Sequence, residues 1–370
     1  MRVIAVDSGV NSIGVLMAAL REALDGGPTV LPITPDQSAA AMAPTEPVEP
    51  DTALIVRTSG STREPKGVLL SATALRASAT ATHARLGGAG HWLLAMPAHH
   101  IAGIQVLVRS ILAGHDPVVL PLADGFRPEA FIAAAAEVPE GPRYTAVVPT
   151  QLTRLLADAA GLVAARSFDA VLVGGAATPP ALLARARAAG IRVITTYGMS
   201  ETAGGCVYDG VALDGVRVRI SGGVIELSGP MLAHGYRRAP STAFADGWFR
   251  TADLGRLSDG VLEVSGRADD VINTGGEKVA AAAVERLLCA QPGVIEACVV
   301  GVPDTEWGER VVAAAVVSGQ FTAASATASV RGELGAAATP KEIRVVTSLP
   351  VRGPGKIDRR AVAALFRGHD

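Results

Sequence analysis

The sequence predicts an α/β protein. A large N-terminal domain of helix-covered, mostly parallel sheet with a small antiparallel β unit precedes a small α+β domain, joined to it by a hinge. Three observations carry this. Between residues 53 and 195, apolar runs of strand length alternate with helical segments, as a parallel sheet covered by helices requires. After Tyr208 the pattern turns to short alternating strands, and beyond Gly266 to a compact mixture of helices and strands. The 370 residues exceed one small module and suffice for a core without disulfide or metal staples.

In chain order, residues 2–6 read as a strand and 12–24 as a helix stopped by Asp25-Gly26-Gly27. Residues 32–50, rich in Pro, Ala and Thr, read as a loop. Strands are expected at 53–56, 92–96, 118–120, 145–148, 170–173 and 192–195, and helices at 72–86, 101–112, 128–137, 151–159 and 180–189. The strands at 216–220 and 224–227, separated by a Gly pair, predict the antiparallel unit. The last part reads as helix 279–289, strands 297–300 and 310–317, helix 324–334, strand 343–346 and helix 359–366. The boundary falls near Gly266 to Asp270, giving domains 1–266 and 267–370.

Composition excludes several classes. With 33 basic against 35 acidic side chains, the net charge of −2 argues against a general nucleic-acid binder. The positive mean hydropathy of +0.34 comes from alanine runs such as 133–136 and 280–283. Arg, Asp or Glu interrupts every apolar stretch, so no membrane span is expected. Three cysteines without CxxC spacing support neither a disulfide framework nor a zinc site. Asp7 breaks the apolar core of any signal peptide, so a cytoplasmic location is expected. Only four basic residues are lysine, namely Lys66, Lys278, Lys341 and Lys356. Their rarity points to chemistry where a compact ammonium differs from a guanidinium fork.

Five segments carry chemistry. In Thr58-Ser59-Gly60-Ser61-Thr62-Arg63-Glu64-Pro65-Lys66-Gly67, hydroxyls, freed amides and a lysine suit polyphosphate oxygens. A Walker A loop is excluded, because Lys66 precedes Gly67 and Val68 follows. Tyr197-Gly198-Met199-Ser200-Glu201-Thr202 closes a predicted strand, where ligands bind in α/β sheets. There Tyr197 can stack on a base, Ser200 and Thr202 can reach phosphate, and Glu201 offers a hard oxygen to Mg²⁺. Upstream, Gly174-Gly175 lets a flat ring approach the backbone. The others are 246–255 with Thr251 and Asp253, 266–278 with Arg267 and Asp269, and the Gly355-Lys356 segment.

Taken together and in this order, the five segments resemble the adenylate-forming superfamily of acyl-CoA synthetases, adenylation domains and luciferases, over about 51–360. The resemblance implies ATP and CoA as co-substrates and Mg²⁺ as the metal. It implies that Thr58, Ser59, Gly60, Ser61, Thr62 and Lys66 form the phosphate loop. It further implies that Tyr197 packs on adenine beside Gly174, Gly175 and Gly198, and that Asp253 holds the ribose hydroxyls with Arg267. Ser200 and Thr202 would touch the α-phosphate, Glu201 would coordinate Mg²⁺, Asp269 would be the hinge, and Lys356 would bridge the acid and the α-phosphate. The acid would attack ATP and expel pyrophosphate, then a thiol would attack the acyl-adenylate and release AMP. With the chain ending at Asp370, CoA is the expected acceptor rather than a carrier module.

Pro97-Ala98-His99-His100-Ile101-Ala102-Gly103 resembles the superfamily's Pro-Leu-aromatic-His-x-x-Gly segment, and within the superfamily the stretches 147–152, 195–207 and 213–216 resemble o-succinylbenzoate–CoA ligases of menaquinone biosynthesis. That implies 2-succinylbenzoate as the acid. It also places His100 at the catalytic centre as a gate rather than a base, with His99, Gly103 and Gly204 lining the acyl/CoA pocket. Arg57, Arg109 and Arg154 are open candidates for the second carboxylate. Another fatty or aryl acid, and a silent acyl-adenylate-binding protein, remain the alternatives. A homodimer is the base-rate expectation. The part before Thr58 is short for the superfamily.

Overall fold

In a computed structural model of the chain, residues 1–58, 65–352 and 356–367 are described. The first sheet has the order Arg2–Ala5, Val30–Ile33, Leu54–Thr58, Lys66–Leu70 and Gly235–Tyr236. Its first three strands are parallel and its last two antiparallel. The helix Val10–Leu24 covers it through Ile13, Leu16, Met17, Leu20 and Leu24, a helical stripe of buried apolar side chains. Two strands here depart from the sequence reading. Val30–Ile33 is wholly buried although the 32–50 loop was expected to start inside it. Pro32 is tolerated because pairing with Leu54–Thr58 is limited to Val30 opposite Leu54, so no ladder donor is required of it. Lys66–Leu70 is also a strand, with Lys66 in register opposite Thr58.

A twelve-stranded sheet forms the centre. Val118–Val119, His91–Leu94, Arg143–Val147, Ala170–Val173 and Val193–Met199 run parallel. From Val193–Met199 onward every pairing is antiparallel, through Gly204–Tyr208, Val211–Ala212, Val261–Arg267, Trp248–Ser258, Val224–Ser228 and Arg217–Ser221. The antiparallel unit is thus an edge-to-edge extension of the parallel sheet rather than a separate small piece.

Two helical layers sandwich the parallel strands. Ala72–Leu86 and Ile101–Ala113 share a core with Leu16, Trp92 and Tyr208. Pro128–Glu137, Pro149–Ala157, Ala159–Arg166 and Pro180–Ala188 pack around Phe131, Leu155 and Phe168. The single helix expected at 151–159 is two, because Asp158 leaves helical geometry and its Oδ1 accepts from Gly161 N at 2.6 Å, capping the second.

Residues 271–346 form a third sheet ordered Glu277–Ala280, Val271–Thr274, Gly308–Val317 and Val294–Asp304, with Glu342–Val346 beside Gly308–Val317. The helix expected from Val279 starts at Ala281, since Gly275 and Gly276, both at positive φ, turn the chain into the Glu277–Ala280 strand first. Ala281–Cys289 and Ala323–Ala338 cover one face, and the final helix Arg359–Ala364 the other.

One buried cation fastens the opening segment to this frame. The Arg237 side chain is 2% exposed and donates to the carbonyls of Met42, Ala43 and Pro47 and to Glu49 Oε2 at 2.7 Å. Its Cβ packs beside Gly67, where a methyl group would have no room. Among the described residues no helix is long and apolar enough to cross a membrane.

Candidate active site

The strand Val193–Met199 is where the sheet switches from parallel to antiparallel pairing, and most of the expected nucleotide residues gather at its end. Gly174 ends the neighbouring strand, and a Cβ there would lie 2.2 Å from Thr196 Oγ1, so only glycine permits this close approach. Gly175 follows with φ +79, a conformation that favours glycine. Gly198 has the same cause, since a Cβ would sit 2.1 Å from the Gly204 carbonyl oxygen across the hairpin.

The Tyr197 hydroxyl donates to Asp253 Oδ2 at 2.8 Å. Burial, and then the adjacent Asp253 carboxylate, hold its pKa far above the usual phenol value. Asp253 is itself buried and accepts from Arg267 Nη1 at 3.2 Å, while Arg267 Nη2 donates to Asp269 at 2.9 Å. Burial works against the Arg267 charge, but Asp269 and Asp253 outweigh it and raise its pKa. The expected ribose aspartate and hinge aspartate are therefore joined through one guanidinium.

A second group lies across Gly235–Tyr236. The Tyr236 hydroxyl donates to Glu201 Oε1 at 2.9 Å, and Lys66 Nζ stands 5.1 Å from the Tyr236 ring centre. Burial and Glu201 raise the Tyr236 pKa. Tyr236 thus brings Glu201 and Lys66 to opposite sides of one side chain, and sequence reasoning missed it. The signal available was a lone tyrosine in a short polar stretch, which nothing local distinguishes. Ser59, Gly60, Ser61 and Thr62 lie outside the described residues. Thr58 Oγ1 donates to the Lys66 carbonyl at 3.4 Å.

Ser200 opens the short turn Ser200–Thr202, and Glu201 is half-buried in it. Thr202 has a role in the turn itself. It is fully buried, and its hydroxyl accepts from Met199 N at 2.9 Å and donates to the Gly204 carbonyl at 2.7 Å, so it builds the turn that aims Glu201. Among the described residues no group of three or more His, Cys, Asp or Glu could hold a metal alone. A single carboxylate with one tyrosine donor suits Mg²⁺, which takes one or two carboxylates and completes its shell with phosphate oxygens.

His99 and His100 face each other with ring centres 4.1 Å apart, and His100 occupies the N-cap position of the helix Ile101–Ala113. Burial lowers the His99 pKa, with Asp36 working against it. Gly103 packs tightly. It is buried where that helix presses on Pro97, and a Cβ would meet the Pro97 carbonyl oxygen at 2.4 Å. Gly204 sits at φ +96, with Gln105 3.1 Å from where a Cβ would be.

The three candidate arginines differ. Arg57 bonds Gln37 Oε1 and the Ser38 carbonyl while its Nε is buried without a partner, and Arg154 bonds the Phe126 carbonyl. Arg109, 3% exposed, has no carboxylate partner among the described residues. Its Nη2 donates to Tyr208 Oη at 3.3 Å, its guanidinium lies 5.0 Å from the Trp92 ring centre, and its Nε has no partner. His83 Nε2, Trp92 Nε1, Gln105 Oε1 and Ser110 Oγ are likewise buried without hydrogen bonds. Buried polar atoms left without partners cost stability unless a water or another group meets them.

Lys356 is described through its backbone, in the strand Lys356–Ile357 paired antiparallel with Val351–Arg352.

The chain matches the model of the AMP-binding enzyme family over residues 13–232 and that of the AMP-binding enzyme C-terminal domain over 283–356. It belongs to this family and is an adenylate-forming acid–thiol ligase with ATP and CoA as substrates. It is 46% identical to a "probable 2-succinylbenzoate–CoA ligase" of Mycobacterium tuberculosis, covering 100% of this chain and 99% of that one. It is 36% identical to the sulfoacetate–CoA ligase of Cupriavidus necator over 92% of this chain and 75% of that one. Among solved structures it resembles o-succinylbenzoate CoA synthetase from Bacillus subtilis in complex with the acyl-adenylate intermediate OSB-AMP. There the TM-score is 0.72 at 26% identity, covering 94% of this chain and 80% of that one.

Proposed function

We propose that this enzyme converts 2-succinylbenzoate to 2-succinylbenzoyl-CoA through an acyl-adenylate, releasing pyrophosphate and then AMP, as a step of menaquinone biosynthesis. The observation that carries the choice of acid is Arg109, a buried guanidinium with no carboxylate of its own. An acid with one carboxylate needs no such group, whereas a dicarboxylic acid offers its second anion to it. Relatives named for 2-succinylbenzoate, the mycobacterial one among them, support this reading.

In the first half-reaction Asp253 receives the ribose hydroxyls, displacing its bonds from Tyr197 and Arg267, and the Tyr197 ring flanks adenine above Gly174 and Gly175. Ser200 and Lys66 bind phosphate oxygens. Mg²⁺, held by Glu201, would neutralise charge on those oxygens. Lys356 brings a cation to the acid and the α-phosphate, where two anions must meet and negative charge develops. The region after Gly266 then turns about Asp269 to admit CoA, a hinge motion absorbed by few residues. His99 and His100 gate the acid's approach.

Pyrophosphate release measured across 2-succinylbenzoate, sulfoacetate, benzoate and a medium-chain fatty acid tests the proposal. The expected result is the highest kcat/KM for 2-succinylbenzoate. Equal or better turnover of any other acid overturns it. A sulfoacetate preference would keep the second anion and change only its kind.

A further inference from the structure

We propose that Arg359 is the positioning residue of the acid-activation step: it locks the segment bearing Lys356 to the turn bearing the hinge aspartate, so that the two move as one body. This rests on the reading of Lys356 as the activating lysine.

The geometry is that of a guanidinium with every direction used. Arg359 Nε lies 2.9 Å from Asp270 Oδ2. Its Nη1 lies 2.8 Å from Glu285 Oε1 and donates to the Val299 carbonyl at 2.7 Å, and its Nη2 donates to Glu285 Oε2 at 3.1 Å. Glu285 is fixed in turn, since its Oε1 accepts from Val299 N at 2.8 Å. One side chain therefore ties three places together: the turn Ala268–Asp270, the helix Ala281–Cys289 and the strand Val294–Asp304.

Between Arg359 and Lys356 the backbone has little slack. Lys356 pairs with Arg352 and Ile357 with Val351. Asp358 N donates to the Pro350 carbonyl at 2.8 Å, and Asp358 Oδ1 caps the last helix by accepting from Arg360 N at 3.0 Å and Ala361 N at 3.1 Å. A displacement of Arg359 is thus passed to the Lys356 backbone instead of being absorbed. On the other side, Asp270 adjoins Asp269, which accepts from Arg267, which in turn bonds Asp253. Two sets of charged contacts, joined by the backbone between Asp269 and Asp270, thus connect the lysine segment with Asp253.

Lysine cannot replace this fork, because an ammonium is a point charge without bidentate geometry. Arg359→Lys, verified as folded by its thermal transition, is expected to slow pyrophosphate release about tenfold, while transfer of a supplied acyl-adenylate to CoA stays within about twofold. Asp270→Asn, cutting the same link from the opposite side, is expected to act in the same sense. In a Lys356→Ala background, Arg359→Lys is expected to cost nothing more, because residues acting through one another are not additive. Equal loss in both half-reactions, or the same cost with and without Lys356, overturns the proposal and leaves Lys356 catalytic. A Lys356→Ala enzyme with unchanged pyrophosphate release instead overturns the assignment of Lys356 itself, and the proposal falls with it.

Discussion

Arg109 and Arg359 are both cations taken largely out of water, one in the helical layer over the central sheet and one at the start of the final helix beside the C-terminal sheet, and their surroundings are opposite. Arg359 meets two carboxylates and a carbonyl. Arg109 meets a tyrosine hydroxyl and an indole face, while its Nε and several neighbouring polar atoms have no partner. Burial depresses the Arg109 pKa, with Tyr208 only partly offsetting it, whereas at Arg359 Glu285 and Asp270 overcome burial and raise it. A saturated guanidinium holds a fold together. An unsatisfied one costs stability, because its charge is buried without a counter-ion, and on the proposed reading the second anion of the acid recovers that cost.

The comparison can be broken most sharply at Arg109. Arg109→Met should lower kcat/KM for 2-succinylbenzoate about 10²-fold or more, the size of losing one buried charge pair, with the KM for ATP unchanged. The same variant should unfold at equal or higher denaturant concentration than the parent, since an apolar replacement removes an unpaired buried charge. A large loss of stability there would mean that Arg109 is structural after all. Arg359→Met should do the reverse, destabilising the fold by about 2 kcal/mol in urea titration because Glu285 and Asp270 are left facing each other.

The smallest effect is a titration. His83 is half-buried beside Arg109, and its pKa is lowered first by burial and then by that guanidinium. With the folded pKa below the unfolded value of 6.5, the unfolded chain takes up the proton first. Stability therefore falls as pH drops below about 6.5 and levels off under the folded pKa. In Arg109→Met the His83 resonance should titrate at higher pH, and this part of the acid sensitivity should shrink. An unmoved His83 titration would separate the two groups.

Much of this was legible beforehand. The elements at 72–86, 128–137 and 170–173 are observed with the same ends, because buried apolar runs and Pro- or Gly-marked termini are local signals. Tyr197, Asp253, Arg267 and Asp269 were named from separate segments and prove to be one connected cluster. What stayed hidden depends on partners far along the chain. Val30–Ile33 looks like a loop until its neighbours supply the sheet. Tyr236 gains meaning only when a short strand sets it beside Val68 and hence between Glu201 and Lys66. Thr202 and Gly103 also serve the fold, through a turn hydrogen bond and a close helix approach, and a sequence shows residue type but not such a second duty. Arg109 could be named but not chosen over Arg57 and Arg154, since the choice lies in which carbonyls are near.

The Arg237 anchor has a practical corollary for anyone who shortens or fuses this enzyme. Its acceptors all come from 42–49, while its own strand neighbours lie against the strand that begins with Lys66. A truncation reaching that segment would leave the Arg237 guanidinium buried without its acceptors beside the strand that begins with Lys66, so the damage would appear in that strand and not only at the cut end.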